Sequence, residues 1–183
     1  MSSLFPLDVQ ITYFLNQIIP HNRTFDALFS FLSLRGNSIV LWIGILVIAI
    51  LLQKRKQSLI SKRNVFFMSA FIISFFLTSL TNHFVLKNIF QRPRPYVYKI
   101  VKPLDCPKDY SFPSGHASSA FAAATVLSSF DKKRRWVYFL AAVLVSLSRI
   151  YLGCHYFFDA VGGAIVGYTI SWMTLKLFSF RRR

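Results

Sequence analysis

Two of the four histidines in this sequence sit in settings that could do chemistry. His155 is followed four residues later by Asp159. On a helix that spacing stacks both side chains on one face. A carboxylate so placed holds an imidazole in one tautomer and stabilises its cation, which suits a histidine nucleophile. Ser148-Arg149 is separated by five residues from His155. Upstream, Lys87 is separated by six residues from Arg94-Pro95, and Pro113-Ser114-Gly115-His116 follows a loop. Lys87, Arg94 and Arg149 offer three cations with many donors, suited to a dianionic phosphoryl group. Ser114, Gly115 and His116 open a helix whose free N–H groups and dipole favour an anion. Gly115 lets the backbone come close to a ligand. His116 is left as a proton donor to the leaving oxygen. The chemistry is phosphoryl transfer, and no convincing metal-ligand cluster accompanies it.

The elements that position these residues follow from composition. The chain has 183 residues, 54% of them hydrophobic, and a mean hydropathy of +0.47, which fits one domain. Aromatics at 17% exclude a disordered chain, and two cysteines exclude a disulfide-stapled scaffold. Five long apolar stretches leave too little polar surface for a soluble domain. The reading is all-α: a polytopic membrane bundle with spans near 39–52, 65–86, 113–130, 136–152 and 156–178.

The net charge of +16 could mean a nucleic-acid partner, but the placement of the cations speaks against it. They punctuate the spans as three clusters: Lys54, Arg55, Lys56, Lys62 and Arg63; Lys132 to Arg135; and Lys176 with Arg181, Arg182 and Arg183. Such clusters mark the cytoplasmic side and touch anionic lipid. One assignment then satisfies every span, and the loop 87–112 and all three polar motifs face the outside. Residues 1–36 read as two amphipathic helices lying at the outer interface, ahead of a transmembrane domain over 37–183. Leu7, Ile11, Phe14, Leu15 and Ile18 give the first its helical spacing, with Asp8 placed to cap it. A crossing helix in this segment would make six spans instead of five. No basic run precedes the first apolar residues, which argues against a cleaved signal peptide.

The three motifs resemble those of the type 2 phosphatidic acid phosphatase family, which shares its site with vanadium haloperoxidases. Lys87, Arg94-Pro95, Pro113 to His116, Ser148-Arg149, His155 and Asp159 match its pattern in order. The resemblance covers about residues 65–170. It implies that His155 attacks phosphorus and forms a phosphohistidine, that Asp159 orients it, and that His116 protonates the leaving group. It also implies that Lys87, Arg94, Ser114, Gly115 and Arg149 hold the phosphoryl oxygens, with no metal or cofactor. A site at a membrane face points to a lipid-anchored leaving group. Small relatives on the outer face of bacterial cytoplasmic membranes resemble undecaprenyl pyrophosphate phosphatases, the first expectation here. Phosphatidylglycerophosphate or phosphatidic acid comes second, and lipid A third. The rivals are a vanadate-dependent haloperoxidase and a non-catalytic binder or carrier of lipid phosphates.

Other residues carry plainer expectations. Arg92 reads as a solvated or headgroup contact, His83 as helix packing and His21 as interfacial filler. Gly163, Gly167 and the stripe Ala117, Ala120 and Ala124 read as close helix packing. Tyr96, Tyr98 and Tyr110 fit an interfacial belt. Cys106 and Cys154 read as separate thiols, although an oxidising space would permit a bridge.

Overall fold

A computed structural model describes residues 4–33, 37–52, 61–104 and 106–180. The described residues form helices and turns and no strand. In order they are α1 (Leu4–Ile18), α2 (Arg23–Ser33), α3 (Asn37–Leu51), α4 (Lys62–Leu80), α5 (Lys87–Phe90), α6 (Gly115–Phe130), α7 (Arg135–Tyr151) and α8 (Phe157–Phe180). A π-helical turn, Thr81–Leu86, continues α4 directly into α5, so one helical stretch delivers Lys87. Lys54, Arg55, Lys56, Arg181, Arg182 and Arg183 lie outside the described residues.

The bundle is built around α6, which packs on α8, α7, α4 and α3. Its alanines make this possible: Ala117, Ala120, Ala122, Ala123 and Ala124 are buried and let neighbouring helices come close. On α8 the match is glycine. A Cβ built on Gly167 would lie 2.0 Å from the Ser118 carbonyl oxygen, and one on Gly163 would lie 2.5 Å from that of Ser114. These contacts are with backbone, which cannot swing aside. Gly167→Ala is therefore expected to destabilise the protein by about 1–3 kcal/mol or more. Gly44→Ala, on α3 with nothing within 4 Å, should be neutral. Melting temperature and monodisperse yield in detergent check the pair.

The outer surface is apolar. Val40, Leu51, Ile72, Phe76, Leu140, Ile165 and Leu177 all project outward from α3, α4, α7 and α8. The stretches Lys62–Tyr98 and Phe157–Phe178 are long and apolar enough to cross a membrane. Such a surface suits lipid rather than water. At one end of the bundle Arg63 donates to the Phe130 carbonyl at 3.0 Å, beside Lys132, Lys133 and Arg134. The motif residues gather at the other end.

The two amino-terminal helices form where the spacing predicts them, separated near Pro20. α1 turns its polar side to the bundle. Its buried stripe is polar, Asp8, Thr12 and Asn16, while Leu7, Phe14 and Ile18 face outward. Helix ends explain this. The first N–H groups of a helix and its last carbonyls lack partners within it. Thr12 Oγ1 accepts from the Phe157 N–H and Asp8 Oδ1 from the Phe158 N–H, both at 2.9 Å, at the start of α8. Asn16 donates to the Ile150 and Tyr151 carbonyls at the end of α7. Asp8, expected to cap its own helix, caps α8 instead. His21 is also more than filler: it stacks on Tyr151 with ring centroids 4.3 Å apart and bonds the Asn16 carbonyl.

The expectation of separate thiols is corrected. Cys106 and Cys154 form a disulfide. It tethers the long loop to the turn that carries His155. The Leu104 N–H donates to the Leu152 carbonyl beside it, at 3.0 Å. Gly153 takes a positive φ of 71° there, and a Cβ on it would sit 2.9 Å from the Lys102 carbonyl oxygen. Only glycine allows loop and turn to meet so closely.

Candidate active site

The motif residues converge on a cavity of about 570 Å³, lined by Lys87, Arg94, Gly115, His116 and His155 among the expected residues. Asn82, Asp109 and Ser119 line it as well, and so does His83, which sequence spacing assigns to simple packing. Ser114 and Arg149 are buried beside it rather than in its lining.

His155 lies in the turn between α7 and α8, one residue before Tyr156, so the pair does not stack along a helix as expected. Asp159 reaches back from the first turn of α8. Its Oδ2 accepts from the Tyr156 N–H at 2.9 Å and from the Ser111 hydroxyl, and lies 3.5 Å from His155 Nδ1. On the other side of the ring, Arg94 donates to Nε2 at 3.1 Å. Arginine has no acceptor, so Nε2 carries the lone pair and Nδ1 carries the proton, facing Asp159. Burial first, and then the charges of Arg94, Arg149 and Lys87, hold His155 well below the usual imidazole range. The free ring is therefore neutral, and Nε2 can act as a nucleophile once the Arg94 donor turns from it to a phosphoryl oxygen.

Arg94 is itself buried and held on several sides. It donates to the carbonyls of Asp109 and Cys154, both at 2.7 Å, and to Asp109 Oδ1 at 2.6 Å. Lys87 bonds the other Asp109 oxygen. Burial opposes ionisation of Asp109, but the bonds and charges of Lys87 and Arg94 outweigh it and hold its carboxyl down at about 2. Asp109 thus sits as an anion on two of the cations expected to hold phosphate.

The opening of α6 is as expected. Ser114 caps it, with its hydroxyl accepting from the Ala117 N–H. The Ser114 N–H donates to the Asp159 carbonyl at 2.9 Å, which ties the start of α6 to α8. A Cβ on Gly115 would meet nothing within 4 Å, so the backbone there is open to the cavity. The His116 ring lies near the Ser33 carbonyl at the end of α2. That same carbonyl accepts from Arg149 at 3.4 Å, and the Ser33 and Ser148 hydroxyls pair at 2.5 Å. The end of α2 therefore closes one side of the site.

Arg92 requires a second correction. It is neither solvated nor set aside for headgroups. One nitrogen donates to Asp159 Oδ1 at 2.7 Å and another to Asp8 Oδ2 at 2.6 Å. Its guanidinium lies 3.9 Å from the centroid of the Tyr156 ring. Arg92, Ser33, Asp109 and Ser111 touch the motif residues and Asp8 reaches Asp159 through Arg92; none belongs to the spacing pattern. Scarcity was the available signal: a chain of +16 with six acids has few carboxylates to leave idle.

A family model described as the PAP2 superfamily matches residues 64–183, about two thirds of the chain. The chain belongs to the PAP2 superfamily. Among curated PAP2 relatives, the undecaprenyl-diphosphatase of Sulfolobus acidocaldarius is 29% identical over 164 residues, covering 88% of this chain and 75% of that protein. Phosphatidylglycerophosphatase B of Bacillus subtilis is 37% identical over 94 residues, 45% of this chain and 44% of that protein. The chain therefore spans less than half of the Bacillus relative. Among solved structures, Aquifex aeolicus LpxE superposes with a TM-score of 0.69 at 28% identity, over 93% of this chain and 95% of that one. With its apolar outer surface, this PAP2 chain is a membrane protein.

Proposed function

We propose that this chain is a membrane-embedded lipid phosphatase that works through a phosphohistidine on His155. The observation that carries the reading is the setting of His155. Nε2 faces a cavity with Lys87 and Arg94 in its wall, and Nδ1–H faces Asp159. In the first step Nε2 attacks phosphorus, an N–P bond forms and the P–O bond to the leaving group breaks. His116 gives its proton to the departing oxygen. Nδ1–H stays on the ring, and Asp159 balances the positive charge that develops. Water then attacks phosphorus, His116 takes a proton from it, the N–P bond breaks and phosphate departs. Lys87, Arg94, Arg149 and the Gly115 backbone stabilise the phosphoryl oxygens, with the Ser114 cap holding the start of α6 in place. Asp109 must yield Lys87 and Arg94 to the substrate.

Undecaprenyl pyrophosphate is the first substrate expected, supported by the relative from Sulfolobus acidocaldarius. Phosphatidylglycerophosphate is second, supported by the Bacillus subtilis relative. A five-span reading of the chain would put the site on the extracytoplasmic face. Support comes from Lys62, Arg63 and Lys132 to Arg134 at the bundle end opposite the cavity, and from the disulfide on the cavity side.

Phosphate release in detergent with EDTA tests the reading, with undecaprenyl pyrophosphate, phosphatidylglycerophosphate, phosphatidic acid and lipid A in parallel. Release is expected, fastest from undecaprenyl pyrophosphate, and vanadate should inhibit it. No release from any of the four would overturn the proposal in favour of a binder. Halide oxidation by the vanadate-loaded protein would favour the haloperoxidase.

A further inference from the structure

We infer that Asp8 and Arg92 are positioning residues for the reaction, through which the amino-terminal helix holds Asp159 aimed at His155 and keeps Arg92 from neutralising it. The inference rests on the proposed role of His155. It extends the machinery to α1, outside the residues 64–183 that the family model matches.

The argument begins with the arginine fork. A guanidinium beside one carboxylate commonly takes both of its oxygens in a bidentate pair. Arg92 does not. It divides its fork, one nitrogen on Asp159 Oδ1 and another on Asp8 Oδ2. Both carboxylates are buried, Asp8 at 1% exposure and Asp159 at 0%. Stacking on Tyr156, with Phe5 of α1 at 5.8 Å, holds the guanidinium plane between them.

Two consequences follow for Asp159. Arg92 occupies only Oδ1, which leaves Oδ2 directed at His155 Nδ1. The charge count matters as well. One guanidinium faces two carboxylates, so the group keeps a net negative charge beside the imidazole. That charge favours the cation that forms when Nε2 bonds phosphorus. With Asp8 neutral, Arg92 would neutralise Asp159 alone and be free to take both of its oxygens. The His155 cation would lose its counter-charge and its alignment.

Asp8 also caps α8 through Oδ1, so its structural and electrostatic duties must be separated. Asp8→Asn does this. The amide oxygen can still accept from the Phe158 N–H, while the charge facing Arg92 is gone. Asp8→Asn is expected to lower kcat about 10-fold and Arg92→Ala about 100-fold, the scale of losses from misplaced catalytic groups. Arg92→Lys, which keeps the charge but not the fork, should fall between wild type and Arg92→Ala. KM and inhibition by orthophosphate and vanadate should stay within about twofold, because neither residue lines the phosphate cavity. Asp8→Asn turns an amide NH2 toward Arg92, so a fall in melting temperature is expected, and retained inhibition by vanadate shows that the variant is folded.

A kcat loss in Asp8→Asn with unchanged KM and inhibition supports the inference. Wild-type kcat in folded Asp8→Asn and Arg92→Lys would overturn it and leave the role of His155 standing. So would a loss that appears only in KM. A wild-type protein that releases no phosphate from any lipid overturns the functional proposal first and this inference with it.

Discussion

Replacing His155 by Ala is expected to reduce phosphate release by about 10³-fold or more, to the level of the buffer, because His155 is the ring in the cavity with a carboxylate set behind it. Lys87 is held by Asp109, Arg94 is a donor only, and among the described residues neither His83 nor His116 pairs with a carboxylate. The substitution removes a buried ring, so folding needs its own check. The disulfide, the Ser114 cap and the Asp159 bonds to Tyr156 and Arg92 do not depend on the imidazole. Inhibitor binding should therefore survive. Phosphate release, melting temperature and vanadate-dependent stabilisation, measured side by side, decide the matter. Residual turnover at a tenth of wild type would argue for another nucleophile.

The second large effect is expected from Asp159→Asn. An amide has one oxygen where the carboxylate has two, and both Asp159 oxygens accept. If the NH2 group takes the place of Oδ1, it faces the Arg92 donor. If it takes the place of Oδ2, it faces the Tyr156 N–H and the Ser111 hydroxyl, and it donates toward His155 Nδ1. The ring then protonates on Nε2, the atom that must attack phosphorus. Either way the negative charge is lost. Turnover should fall about 10²- to 10⁴-fold, by analogy with the wrong-tautomer effect in a Ser-His-Asp triad. Phosphate and vanadate inhibition should change little, because Asp159 acts through His155. Full turnover in this variant would remove Asp159 from the mechanism.

The chemistry was legible because its residues lie in short, rigidly spaced motifs. Pro113 to His116 opens α6 as the spacing predicts, and Lys87 arrives on the helical continuation of α4. The apolar periods gave the helices, and the small-residue stripes on α6 and α8 foretold their close contact. What was hidden is long-range. Asp8 is 84 positions from Arg92, and Ser33 is 115 from Ser148. Arg92 and Asp159 are 67 apart, and the two cysteines 48. No local period reports such pairings. Which side of α1 meets the protein was not legible in the spacing, for a physical reason. Apolar spacing tells which side avoids water, but lipid takes that side as readily as protein does. The side turned to the protein is then the polar one, set by the unpaired ends of α7 and α8. The His155–Asp159 geometry also shifted. The helix begins after His155, and the carboxylate caps its turn instead of stacking along it.

The central claim is a covalent phosphoryl group on His155. Its most direct test is a rapid-quench experiment with lipid pyrophosphate labelled on the terminal phosphoryl group. The quenched protein is digested and the label mapped by mass spectrometry. The account predicts label on the peptide carrying His155, stable in base and labile in acid, absent from His155→Ala, and formed no more slowly than phosphate is released. Label on another residue, or steady release from a protein that never carries label, would contradict it.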